Sequence, residues 1–434
     1  MDGKSKTPVI VAADSLGEAE SARIKLATRW RLIFALVLIA LEFSNLMQFA
    51  TFGSRDLFHT ASANKIHVST YSLQALGYVM VAAVSVLDPG SLRKLFAQTL
   101  FRWTAVVVAV FTWGMLMRAF NPPAGLQEYL FVREFLLRLN ALGFILICVV
   151  MFEGELVLRA VKRAVAVTTL FAVAVNICEI MHLWIFSEAR IDMNRALGLQ
   201  NDPNAAGMAV VFGCVIGLTA VPRRWRELFT LACVAGVATT FSREAMAGLL
   251  VVILAAGLAR AVATPRLLLL IAIGILIVAM WNLSVILQDQ GVLSKENLAR
   301  LEMGTSDHSA RYHAMLAAKV LEQFENAPLL GNGFGTTAFW GNFESHNLYL
   351  SFMADYGILG VLMVPALAWC LAYRSWDYYG FAFAFLIWCM FNHNLFANPF
   401  GLISLAIMAN QQACFRSSFT DQPQYQPVTA WATG

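Results

Sequence analysis

"AVAVTTLFAVAVNICEIMHLWIFS", residues 164–187, follows a basic cluster of Arg159, Lys162 and Arg163 and is apolar almost throughout. A helix needs about 20 such residues to cross the roughly 30 Å of hydrocarbon in a bilayer. The stretch therefore reads as a membrane span. Comparable runs recur at 32–50, 69–88, 103–120, 139–155, 205–221, 227–242, 244–260, 265–287, 356–373, 378–394 and 397–414. The expected fold is an all-α polytopic membrane protein with about twelve transmembrane helices. The composition agrees: 59% of the residues are hydrophobic and 13% charged, where a soluble domain carries about 25% charged residues.

Orientation follows from Lys and Arg, because basic loops are retained in the cytoplasm. Lys4, Lys6, Arg23, Lys25, Arg29 and Arg31 precede the first span. Alternate loops carry Arg93, Lys94 and Arg102, then Arg159, Lys162 and Arg163, then Arg223, Arg224 and Arg226, then Arg260 and Arg266, and finally Arg374. Both termini are expected to be cytoplasmic. The expected division is a cytoplasmic tail (1–30), nine transmembrane helices (31–287), a helical loop on the outer face (288–345), three more spans (346–414) and a second cytoplasmic tail (415–434).

No signal-peptide pattern opens the chain, so the first span is expected to direct membrane insertion. The seven cysteines lie in or at the ends of apolar runs with no CxxC spacing, and read as small core residues. A net charge of +4 mostly reports the basic loops and makes no case for nucleic acid.

The long loop is not a simple linker. In "SARYHAMLAAKVLEQF" (309–324), Tyr312, Leu316, Ala317, Val320 and Phe324 recur at helical spacing, so one face can pack on the membrane domain. Pro328, Gly331, Gly333, Gly335 and Gly341 then break the helix and permit sharp turns. The chain after Cys414 is polar and reads as disordered.

Four polar segments fall on the expected outer face. "RALGLQNDPNAAGMAVV" (195–211) sets Arg195 and an Asn-Asp-Pro-Asn turn, with Asn204, before a span; it reads either as a snorkelling arginine with a helix cap or as a ligand site. "TTFSREAMAGLL" (239–250) interrupts an apolar run with Ser242, Arg243 and Glu244. An arginine there costs at least about 2.5 kcal/mol on insertion scales and marks either a polar pathway or a tight turn paired to headgroups.

"SDHSARYHAM" (306–315) holds Arg311 and His313, either an anion-binding pair or the wet face of a surface helix, the second reading being preferred for His313. The glycines that follow have no strand before them, so a dinucleotide loop is rejected. "ESHNLYLSFMADYGILG" (344–360) sets His346 and Asn347 at the mouth of an apolar helix, whereas His59, His67, His182, His308 and His393 carry no further signal.

Arginine forks bind phosphate oxygens bidentately, and a neutral imidazole accepts a proton from a hydroxyl near neutral pH. Together they describe transfer of a group from a pyrophosphate leaving group to an alcohol. Metal assistance would want paired carboxylates. No DxD occurs, and both ExE pairs, Glu18 with Glu20 and Glu153 with Glu155, fall on the expected cytoplasmic side. A metal-independent reaction without cofactors is therefore expected, with arginine charge in place of the cation.

In this order the four segments resemble the O-antigen ligase and polymerase family of bacterial envelope enzymes. "GLQNDPNAAG" resembles its Gly-Leu-x-x-(Asn)-Pro-Asn element, and "TTFSREAMAG" its Thr-x-Ser-Arg element. "SARYHAMLAAKVLEQFENAPLLGNGFG" resembles its Ser-Gly-Arg…Pro-x-x-Gly-x-Gly region, and "SHNLYLSFMADYGILG" its His-Asn-x-x-Leu…Gly-x-x-Gly signature. Ala310 replaces the usual Gly, and Asp202 stretches the Asn-Pro-Asn element.

The resemblance covers roughly residues 190–375. It implies a GT-C-like fold in the bacterial inner membrane that takes a glycan from undecaprenyl pyrophosphate and delivers it to lipid A-core on the periplasmic face. Carried over, His346 is the base or acceptor-orienting residue, Arg195, Arg243 and Arg311 hold the pyrophosphate, and Asn347, Asn204 and Ser242 support them. A polymerase or a protein O-oligosaccharyltransferase of the same family is the near alternative. A twelve-helix transporter is the alternative from another class, although transporters place their sites near the bilayer midplane.

Overall fold

The computed structural model describes residues 9–47, 68–120, 128–183, 195–200, 202–263, 308–336, 345–392 and 395–420. Among these the regular structure is helical, with no strand. In chain order the helices are α1 (Val9–Leu38, running into a π-helical turn at Ile39–Phe43), α2 (Val68–Leu87), α3 (Gly90–Ala97), α4 (Thr99–Phe120), α5 (Glu128–Met151) and α6 (Glu155–Ile180). They continue as α7 (Pro203–Leu218), α8 (Arg226–Ala238), α9 (Arg243–Leu258), α10 (His308–Asn326), α11 (Leu348–Tyr356), α12 (Ile358–Cys370), α13 (Trp376–Phe391) and α14 (Pro399–Thr420). The architecture is that of a helical membrane protein.

Apolar runs locate these helices better than they bound them. The chain is helical from Val9, so residues 9–30 of the expected N-terminal tail belong to α1. Likewise α5 and α6 begin ahead of the runs at 139 and 164, and α6 stops at Ile180, where His182 takes a left-handed backbone (φ 55°). Hydropathy marks the greasy part of a helix, whereas backbone hydrogen bonding carries the helix on into polar sequence.

By length and composition, α4 and α6 can each cross a membrane, and α2 with α3, bent by 114°, makes a third if the pair is one span. Other apolar helices are shorter: α7 has 16 residues and α12 has 13, about 24 and 20 Å at 1.5 Å per residue. The expected number of twelve spans therefore does not emerge from helix length among the described residues. The run at 265–287 and, in the outer loop, residues 288–307 and 337–344 with Gly341 lie outside those residues, as does the tail from 421.

The core forms around α7, in which every residue from Pro203 to Leu218 except Asn204 is buried. A helix apolar on all sides must be enclosed, and α6, α8, α9, α13 and α14 pack around it. Small residues permit the approach: a Cβ at Gly207 would sit 2.5 Å from the Ala245 Cβ on α9. At one end of the molecule Arg31 is ion-paired to Asp88 (3.0 Å) and Glu153 (2.7 Å), and Lys94 to Glu153 (2.6 Å), which ties α1, the α2–α3 bend and the α5–α6 junction together.

Candidate functional site

Two helix starts meet at Arg195. Asp202 caps α7, its Oδ1 accepting from the Asn204 N–H at 2.8 Å and the Ala205 N–H at 3.0 Å, with Pro203 in the first turn. Ser242 caps α9, its Oγ accepting from the Ala245 N–H at 3.3 Å. Both placements follow from short oxygen-bearing side chains satisfying the orphan donors of a helix start.

Between these starts Arg195, 7% exposed, donates from Nε to the Thr240 carbonyl (2.8 Å) and from Nη2 to Asn204 Oδ1 (3.1 Å) and the Phe241 carbonyl (3.4 Å). It is a buried, directed fork and not a snorkelling side chain. The loop that carries it is pinned in turn. The buried Glu179 accepts from the Leu197 and Gly198 N–H groups (2.9 and 2.7 Å), the Asn45 amide donates to the Leu199 carbonyl (2.7 Å), and the Ala196 N–H to the Thr239 carbonyl (3.0 Å). Arg243, the first residue of α9, is exposed.

His346 lies at the mouth of α11 with a left-handed backbone (φ 47°), uncommon for a residue with a side chain and sustained only where its surroundings over-determine it. Here the neighbours do so. The buried Ser345 hydroxyl donates to the Asn347 carbonyl (2.8 Å), accepts from the Asn347 N–H (3.3 Å) and contacts the Ser351 hydroxyl. Asn347 caps α11 through the Leu350 N–H (3.1 Å).

Against His346 stands His313 of α10, ring centroids 5.0 Å apart and planes at 85°. His313 is therefore not on the wet face that the sequence reading preferred. The packed stripe of α10 runs through His313, Leu316, Ala317 and Val320, with Leu316 and Val320 buried, while Tyr312 is 40% exposed. Leu316, Ala317 and Val320 were read onto the packed face correctly, and Tyr312 alone is turned outward. Arg311 belongs to the first turn of α10, but its side chain lies outside the described residues.

The glycine-rich loop after α10 carries positive φ at Gly331, Gly333 and Gly335. Its turn wraps a carboxylate of the protein itself: the Gly335 N–H donates to Asp355 Oδ2 at 3.0 Å. Asp355, wholly buried on α11, lies 3.7 Å from Arg138 Nη1, and that guanidinium sits 4.5 Å from the Phe334 ring centroid and donates to the Tyr356 hydroxyl (3.3 Å). Arg138, Asp355 and Glu179 went unread in the sequence. The signal was available, since each is a charge in or beside an apolar run, and such charges are expensive unless paired.

The structure thus gathers Arg195, Asn204 and Ser242 in one cluster and His346, Asn347 and His313 in another. Helix α13 links them, packing on α9 and on α11, and the Tyr349 hydroxyl donates to the Leu386 carbonyl (3.4 Å). Both oxygens of Glu153 are engaged by Arg31 and Lys94, and no group of three His, Cys, Asp or Glu side chains among the described residues is arranged to hold a metal ion.

Residues 228–364 match the family model described as O-antigen ligase. Over that stretch the chain is similar to the O-antigen ligase family. No curated protein and no solved structure matches the chain. The matched stretch takes in Ser242, Arg243, Arg311, His313, His346, Asn347 and Asp355, and leaves Arg195, Asn204, Arg138 and Glu179 ahead of its boundary. The match supports a function of the O-antigen ligase or polymerase type in general.

Proposed function

We propose that this protein is an O-antigen ligase of the bacterial inner membrane, transferring a glycan from undecaprenyl pyrophosphate to lipid A-core on the periplasmic face. The observation that carries the reading is His346, held in a left-handed backbone by Ser345 and Asn347 inside the stretch that matches the O-antigen ligase family model. In this reading the chain is a GT-C-like protein of about twelve spans, with both termini cytoplasmic and one long helical loop outside.

His346 accepts the proton of the acceptor hydroxyl as that oxygen bonds to the anomeric carbon. The bond from that carbon to the pyrophosphate oxygen breaks at the same time, so configuration inverts and undecaprenyl pyrophosphate leaves as the anion. Arg195, Arg243 and Arg311 hold the pyrophosphate and stabilise the charge that develops on it, the role a divalent cation would otherwise fill. Asn204 and Ser242 support the arginine cluster, and Asn347 the histidine.

The test incubates purified protein in liposomes with undecaprenyl-pyrophosphate-linked glycan, rough lipopolysaccharide and excess EDTA. A shifted lipopolysaccharide band is expected. A lengthened lipid-linked ladder would instead make the protein a polymerase, and transport with no covalent product would return the transporter reading.

A further inference from the structure

A general base works only when its lone pair points at the proton it takes, and the tolerance is tight. Displacement of about 1 Å costs roughly 100-fold in rate, and catalytic groups are held within about 10–20° by locked neighbours. The backbone around His346 is locked by the Ser345 and Asn347 hydrogen bonds. That lock sets where the side chain leaves the chain. It does not set the plane of the ring.

The ring plane meets the imidazole of His313, edge to face at 85° with centroids 5.0 Å apart, the arrangement aromatic pairs prefer. His313 is itself fixed by the register of α10 on α11. Leu316 and Val320 bury the same face of α10, one and two turns along the stripe from His313. Farther along, the Asn332 amide donates to the Gln323 carbonyl of α10 (2.6 Å) and to the Ala354 carbonyl of α11 (3.1 Å). The two helices are thus pinned together at both ends of their contact, with the histidine pair at one end and Asn332 at the other.

We infer that His313 is a positioning residue: its ring, carried by α10, sets the orientation of the His346 imidazole. The inference rests on the role proposed for His346.

The experiment compares His313→Gln, His313→Ala and His313→Phe with wild type in liposomes. The first two remove the ring with residues a helix tolerates, and the third keeps an aromatic face. Two readouts are taken: kcat and KM for ligation, and the rate at which diethyl pyrocarbonate modifies His346, followed by mass spectrometry.

Loss of the ring is expected to lower kcat about 10- to 100-fold with KM for the donor within about twofold, and His313→Phe to restore kcat to within about threefold of wild type. His346 should be modified about threefold faster in Gln and Ala and at the wild-type rate in Phe. Unchanged kcat in the ringless variants, or Phe as slow as Ala, overturns the inference. If wild type makes no ligation product, the ligase reading fails by itself and the modification rates alone decide: a rate at His346 indifferent to residue 313 overturns the pairing. A ringless variant that does not fold is replaced by the other, whose readings then stand against Phe.

Discussion

Arg195 and Arg243 were equal candidates as residues in the sequence, and the structure separates them. Arg195 is buried and spends its fork on two carbonyls and the Asn204 amide oxygen, so it holds the α7 and α9 starts together whatever else it binds. Hydrogen bonds from a charged group contribute about 1.5–3 kcal/mol each, and lysine cannot reproduce the planar fork. Arg195→Lys is expected to lower the thermal unfolding midpoint of the detergent-purified protein and its ligation rate together. Arg243→Lys, at an exposed position, should leave stability within about 0.5 kcal/mol and lower only the rate. Equal destabilisation by the two would contradict this division. Asn347 presents a similar contrast: Asn347→Ala should cost about 1 kcal/mol through the lost cap, while Asn347→Asp, an equally good cap, should not. Both would be read as shifts in the same melting curve. The loss on His346→Ala should instead be catalytic, about 100-fold or more in kcat with the melting curve in place.

At the scale of elements, the glycine-rich loop and α11 behave as one piece because Asp355 binds both the loop and α5. Its carboxylate takes the Gly335 N–H and sits beside Arg138, and the Phe334 N–H donates to the Gly114 carbonyl of α4 (3.0 Å). Removing one partner of a buried ion pair leaves the other charge uncompensated, at a cost of about 3–5 kcal/mol. Asp355→Ala is therefore expected to destabilise the protein several times more than Ser242→Ala, which loses one cap worth about 1 kcal/mol; chemical denaturation of both variants in one detergent makes the comparison, and equal costs would remove Asp355 from this role. Local punctuation was legible in the sequence. Asp202 before Pro203 and Gly331, Gly333 and Gly335 after Pro328 mark the ends they were read to mark, since caps and left-handed turns are set by residues a few positions apart. The partners of Asp355 and Glu179 were not legible, because Arg138 and the Leu197–Gly198 amides come from other segments, and helical periodicity reports which face is buried without naming what covers it. His313 shows the finer limit: Leu316, Ala317 and Val320 were read onto the packed face, but that a polar ring one turn earlier joins it depends on His346, which comes from another segment.

For the whole molecule, the positive-inside rule divides the charged segments into two sets. Arg31, Asp88, Lys94 and Glu153 form one ion-paired cluster, drawn from the basic segments that the positive-inside rule assigns to the cytoplasm. Arg195, Arg243 and His346 come from segments assigned to the opposite side. A lipid-linked glycan presented outside can react only if that second set faces outward, so orientation bears directly on chemistry. With the seven native cysteines replaced, Lys319→Cys on the exposed side of α10 is expected to react with a membrane-impermeant maleimide in intact spheroplasts. Lys94→Cys, at a side chain 67% exposed, should react only after permeabilisation. Both positions are accessible in the fold, so a difference between them reports the membrane barrier and not burial. The reverse pattern would turn His346 toward the cytoplasm. The donor would then have to be used before it crosses the bilayer, and ligation to lipid A-core on the outer face would be ruled out for this site.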